Sequence, residues 1–182
     1  YQDTGEGGIS EFHLKGGDLT WEIGSGYFGC RDDSGLFSKE QFSSMATLDE
    51  VKMIEIKLSQ GAKPGHGGML LAPKVTQEIA KTRGIDMHQD CISPAKHSEF
   101  GNPEELLRFV DKLKKLSGGK PVGIKLCVGH PWEIISIIKT MTTTKKYVDF
   151  ITVDGAEGGT GAAPAEFTDH IGCPLKDAIV FV

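Results

Sequence analysis

The chain's 182 residues are enough for one domain with a real core, and 38% apolar with 25% charged residues marks a globular sequence. A net charge of −5 argues against nucleic acid as a partner, and no apolar run approaches the ~18 residues that a membrane span needs. Neither partner is expected, and without a signal-peptide pattern at its start the chain is expected in the cytoplasm.

Glycine stands out, with 24 residues against a usual share of ~7%. The glycines cluster in loops after apolar runs, where backbone can approach a ligand closely. Cys30, Cys91, Cys127 and Cys173 are widely spaced and read as buried, reduced thiols. The histidines are scattered, so no zinc or other metal site is expected.

In chain order, a polar glycine segment, Thr4-Gly5-Glu6-Gly7-Gly8, comes first and reads as the interior of a longer protein. Leu19–Ile23 is a strand, followed by Gly24-Ser25-Gly26-Tyr27-Phe28-Gly29. This matches G-x-G-x-x-G, but two carboxylates, Asp32 and Asp33, follow where a helix N-terminus should meet a pyrophosphate. It reads as a structural turn or the rim of a site. Residues 38–45 form a short helix capped by Ser38. In residues 51–58, Ile54, Ile56 and Leu58 alternate with Glu55 and Lys57 as in a strand, which opens into a glycine loop at 60–68.

Residues 73–82 read as a helix with Pro73 in its first turn, and 91–93 as a short strand. Asn102-Pro103-Glu104-Glu105 starts a helix that Leu106, Val110, Leu113 and Leu116 continue and Gly118-Gly119 ends. A strand over 122–128, a helix from Pro131 through Met141 and a strand over 147–153 follow. The last strand runs into a second glycine loop from Asp154 to Gly161.

Near-continuously apolar strands alternating with amphipathic helices predict an α/β fold with a parallel sheet. An open doubly wound sheet and part of a (β/α)8 TIM barrel both fit, and both place ligands at the C-terminal strand ends. With about four β/α units, residues 1–182 are expected to be a single domain, one part of a barrel in a longer protein.

Several residues in these loops have chemistry to offer. Lys125 stands inside an apolar strand, where a charge is costly unless paired or used. It either points into the barrel mouth or lies outward, paired with a helix carboxylate. Lys63, held between Ala62 and Pro64, is a carboxylate or phosphate clamp or a solvated loop residue. Asp154 and Glu157 flank the second loop as acid–base groups or as turn residues. His97 either contacts substrate or lies on the surface.

Taken together, T-G-E-G-G at 4–8, Q-G-A-K-P-G-H-G-G at 60–68, I-S-P with His97, V-G-I-K-L at 122–126 and D-G-A-E-G-G-T-G-A-A-P at 154–164 resemble the FMN-binding synthase domain of glutamate synthases and their shorter relatives. The resemblance covers essentially the whole chain in the right order. It implies a (β/α)8 barrel that binds FMN and reduces 2-iminoglutarate, formed from 2-oxoglutarate and ammonia, to L-glutamate by hydride transfer.

By the same resemblance, Gln60 and Lys125 contact the flavin, where a cation raises the reduction potential. Lys63 and Arg83 face the oxo-acid carboxylates, and Glu6 sits near the reacting centre. Asp154, Gly155, Gly158, Gly159, Thr160 and Gly161 close over the cofactor. No iron–sulfur cysteine cluster and no glutaminase are expected in these residues, and nothing in them names an electron donor.

FMN phosphate is expected to sit on loops after the seventh and eighth barrel strands, so residues 1–182 alone are expected to bind FMN weakly or not at all. The family usually has glutamine where Met69 stands, and methionine cannot donate its hydrogen bonds. A different oxo- or imino-acid is therefore an alternative substrate, and a non-catalytic barrel segment an alternative role.

Overall fold

A computed structural model describes residues 1–158 and 163–182. Its main sheet has five strands, all parallel: β1 (Gln2–Asp3), β2 (Leu19–Ile23), β3 (Val51–Lys57), β6 (Val122–Leu126) and β7 (Ile151–Val153), adjacent in that order. Successive strands join on one side without reversal. A doubly wound sheet reverses at a switch point, so this order is consistent with part of a barrel. The sheet is curled, with helices on its outer face.

Helix α1 (Lys39–Ala46) connects β2 to β3, α3 (Pro103–Leu116) precedes β6, α4 (Pro131–Thr144) connects β6 to β7, and α5 (Leu175–Phe181) follows β7. The expected caps form. Ser38 Oγ accepts from Gln41 N at 3.2 Å, and Asn102 Oδ1 accepts from Glu105 N at 2.9 Å.

Between β3 and α3 the chain makes an excursion. Strands β4 (Met69–Leu70) and β5 (Cys91–Ile92) form their own antiparallel ladder outside the main sheet. Helix α2 spans Gln77–Arg83, shorter than the 73–82 expected. Pro73 lies in a separate single 3-10 turn, and Thr76, in extended conformation, takes Ile79 N–H as the true cap. The strand expected over 147–153 pairs only from Ile151, and the one over 122–128 stops at Leu126.

Strand side chains alternate between two faces. Ile23, Ile56, Ile124 and Ile151 lie in register, as do Trp21, Ile54 and Val122. These face the helices and form the core with Phe42, Leu107, Val110, Leu113 and Ile134. Trp21 stacks on Phe42 with ring centroids 5.4 Å apart. The opposite, inner face is polar: Glu22 lies level with Glu55, and Lys57 with Lys125 and Thr152. The near-continuously apolar strands expected of a buried parallel sheet thus carry their charges on one face, where Met53 and, just before β7, Phe150 also lie. Among the described residues, no helix is long and apolar enough to cross a membrane.

Candidate active site at the strand ends

The loop after β1 carries Glu6, β2 carries Glu22, β3 ends on Lys57 and β6 carries Lys125. All four meet on the inner face at the C-terminal edge. Lys125 Nζ donates to Glu22 Oε2 at 2.8 Å, and Lys57 Nζ lies 3.9 Å from Glu22 Oε1 and 3.3 Å from Glu6 Oε2. The row Glu6–Lys57–Glu22–Lys125 alternates in sign. Strands β2 and β6 are two positions apart, about 10 Å in a flat sheet. Their side chains meet over β3 because the sheet curls, as in barrel layers built from alternate strands.

Glu22 is 2% exposed and Lys125 22%. Burial raises the acid's pKa although Lys125 opposes it. Burial is the largest single influence on the base and lowers its pKa, but Glu22, Asp154 and Asp3 together raise it. Desolvation wins at the deeper partner and attraction at the shallower one. Lys125 therefore points neither outward nor toward a helix carboxylate.

Two glycines make room for Glu6. A Cβ at Gly68 would lie 2.2 Å from Glu6 Oε1, and one at Gly24 would lie 2.8 Å from Oε2. The carboxylate occupies the space that side chains would fill, so Gly24 of the G-x-G-x-x-G stretch serves as packing. Gln60 joins the row by accepting from Lys57 Nζ at 3.2 Å. A small cavity is bordered by Glu6, Ser25, Lys57, Gln60, His66 and His97.

The two glycine loops interlock. Gly61 N donates to Asp154 Oδ2 at 2.9 Å, and a Cβ on Gly61 would fall 1.6 Å from Gly155 O. Asp154 is therefore a tie between loops. Glu157 accepts from Leu175 N at 2.9 Å, at the start of α5. Gly158 is left-handed, with φ +74°. Gly159, Thr160 and Gly161 lie outside the described residues.

Lys63 is buried and donates to Gly67 O at 3.0 Å, so it is not a solvated loop residue. Burial lowers its pKa, against Glu6 and ahead of the repulsion from Lys57. Arg83 lies over the Phe28 ring, 4.9 Å from its centroid, and beside Gly7.

His97 is not on the surface. It is 6% exposed, its Nε2 bonds Lys57 O at 2.8 Å and its Nδ1 bonds Tyr27 Oη at 3.1 Å. Nε2 must carry the proton, because a carbonyl only accepts. Burial holds the ring neutral, against the carbonyl and Glu6. With both nitrogens engaged, His97 fixes the end of β3 while its ring borders the small cavity. Lys57 and Glu22 belong to the charged row although sequence reasoning singled out neither. Their only signal was a charged residue alternating with apolar ones in a strand.

A wider cleft of about 570 Å³ adjoins this cavity, sharing Leu58, Ser59, Ala95 and His97 with it and opening between the starts of α3 and α4, with Phe100, Leu106, Trp132 and Ile137 in its walls. It touches none of Glu6, Glu22, Lys57 or Lys125.

The profile of the family described as "conserved region in glutamate synthase" matches residues 1–182. The chain is 45% identical over 183 residues to the glutamate synthase large subunit-like protein YerD of Bacillus subtilis, covering 100% of this chain and 34% of that protein. It is 37% identical over 185 residues to the archaeal glutamate synthase [NADPH] of Methanocaldococcus jannaschii, covering 100% of this chain and 33% of that protein. Against the ferredoxin-dependent glutamate synthase of Antithamnion sp. the identity is 32% over 182 residues, covering 95% of this chain and 11% of that protein. The chain thus spans about a third of the length of the first two relatives. It belongs to the glutamate synthase family, as a stretch of that family's conserved region.

Proposed function

We propose that this chain is part of the catalytic barrel of an FMN-dependent oxidoreductase that reduces 2-iminoglutarate, from 2-oxoglutarate and ammonia, to L-glutamate. One observation supports this above the rest: the alternating Glu6–Lys57–Glu22–Lys125 row at the strand ends. A barrel ligand would meet it there.

The donor set suits FMN. Lys125 brings an ammonium with more donors than Glu22 uses, and the Gln60 amide keeps its N–H₂ group after its oxygen is taken by Lys57. Both match a ring edge rich in carbonyl oxygens. When bound, FMN supplies the hydride. Lys63 and Arg83 bring positive charge for the carboxylates of the oxo-acid. Glu6, held in its glycine cradle, faces the reacting centre. The interlocked loops exclude water and fix the Asp154 side of the mouth.

A second reading rests on Met69, which is 45% exposed at the excursion where the family usually has glutamine. It assigns the same chemistry to a different oxo- or imino-acid.

The test is the visible spectrum of the full-length protein purified without added flavin. It should show flavin absorption, released on heating as FMN. Lys125→Met should weaken FMN binding about tenfold to a hundredfold, the worth of one charge-assisted hydrogen bond. A colourless protein that ignores added FMN would overturn the proposal. Turnover of 2-oxoglutarate with ammonia supports the first substrate reading. Inactivity that Met69→Gln repairs supports the second.

A further inference from the structure

Below the Lys57–Lys125 level, three carboxylates from three neighbouring strands converge. Asp3, Glu22 and Glu55 each bring an oxygen within 4.8 Å of the others. Glu22 and Glu55 are each 2% exposed, whereas Asp3 is exposed. The groups facing Glu55 are Asp3 from β1, Glu22 from β2, Lys125 from β6 and the Thr152 hydroxyl from β7. On its own strand, Lys57 stands two residues further along. Lys125 is committed to Glu22 at 2.8 Å, and Lys57 lies nearer to Glu6 at 3.3 Å than to Glu22 at 3.9 Å.

Glu55 Oε2 accepts from the Thr152 hydroxyl. Its Oε1 is buried and has no hydrogen-bond partner among the described residues. An ionised carboxylate there would leave a charged acceptor without a donor, beside two other acids. A proton on this carboxyl removes the unpaired charge from a site whose other two acids lie within 4.8 Å. Three carboxylates also suit a hard cation, but Glu22 already faces two ammonium groups, which such an ion would have to displace.

We infer that Glu55 is a neutral carboxylic acid within the Asp3–Glu22–Glu55 cluster, and that it acts as a positioning residue for Lys125 by adding no further negative charge beneath that ammonium, so that its positive charge stays effective toward an anionic ligand. Loss of this proton places a second negative charge under Lys125 and weakens the site for anions. Burial first, then Asp3 and Glu22, push Glu55 from the ordinary 4.5 up to about 7, against Thr152 and Lys125. The switch therefore lies near neutral pH. The consequence for FMN rests on the function proposed above, whereas the protonation state does not.

The full-length protein and its Glu55→Gln variant, an isostere of the neutral acid, are compared in two ways. Infrared difference spectra at pH 6 should show a protonated carboxylic C=O band in the wild type that is absent in Glu55→Gln. FMN affinity, measured by fluorescence titration, should fall on the order of tenfold from pH 6 to pH 8.5 in the wild type, the size expected for one unit charge about 10 Å away at an effective dielectric of about 20. It should stay flat in Glu55→Gln.

Identical infrared spectra, or identical pH profiles in a protein that binds FMN, would overturn the inference. A protein that binds no FMN at any pH but shows the band sinks the functional reading and keeps the protonated Glu55. If Mg²⁺, Mn²⁺ or Ca²⁺ abolishes the band and raises the melting temperature in the wild type but not in Glu55→Gln, the cluster is a metal site and the inference fails.

Discussion

Gly61→Ala tests the interlock of the two glycine loops, because the added Cβ would lie 1.6 Å from Gly155 O and 2.6 Å from its carbonyl carbon. Ordinary contact begins near 3.4 Å, so the loops must part by 3.4 − 1.6 = 1.8 Å. The neighbour is backbone, so no rotamer relieves the clash. The same displacement stretches the 2.9 Å bond from Gly61 N to Asp154 Oδ2 beyond hydrogen-bonding range. Overpacking costs about 1–3 kcal/mol and a hydrogen bond to a charged acceptor about 1.5–3 kcal/mol. Together they predict a loss of about 3–5 kcal/mol in loop docking, capped by the docking energy itself.

Hydrogen exchange of the peptide covering residues 60–68 in the full-length protein measures it. Exchange should quicken by roughly two to four orders of magnitude, or until protection is gone. Gly65→Ala is the control: that site has φ +78° and open space around it, so it should cost only about 1 kcal/mol. If Gly61→Ala exchanges no faster than Gly65→Ala, the loops are not locked by this contact and the closing role given to Asp154 and Gly155 fails.

Two further outcomes follow from the buried polar contacts. Tyr27→Phe removes the hydroxyl that bonds His97 Nδ1 at 3.1 Å and Glu99 N at 3.3 Å, and should cost about 1–2 kcal/mol, read as a melting temperature lower by roughly 2–8 °C. Lys125→Met leaves Glu22 buried without its closest cation and should destabilise by about 3 kcal/mol, while Lys125→Met with Glu22→Gln should regain most of that, because the cost is an uncompensated charge; equal melting of the single and double variants would refute it.

Local chemistry carried the helix starts at Ser38 and Asn102, because a cap is decided within four residues. The start of α2 was misread for the same kind of reason: Pro73 fits a first helical turn, but Thr76 offers a side-chain acceptor to Ile79 N and displaces the start. Strand existence was legible from periodicity, but the meaning of the polar face was not. In I-E-I-K the isoleucines mark the core side whether the other side meets water or the inside of a curled sheet. Only the curl turns Glu55 and Lys57 into interior groups. The partner of Lys125 is 103 positions away on a strand that it does not touch, and no local pattern reports that. His97 looked exposed among polar neighbours, yet Phe100 stacks on its ring at 4.7 Å and Tyr27 meets it edge-on.

The polar inner face has a consequence for how such a chain tolerates change. Cohesion comes from the outer layer, where isoleucines of the strands meet leucines and phenylalanines of the helices. Near the strand ends the inner face carries paired charges, so Glu22, Lys57 and Lys125 are constrained by charge balance. Acid and base can be exchanged in compensating sets there while the scaffold stays intact, whereas a cavity opened between sheet and helices weakens the whole molecule. The fold thus separates what must be preserved to remain folded from what can be altered to change chemistry, and it draws that boundary through the plane of a single sheet.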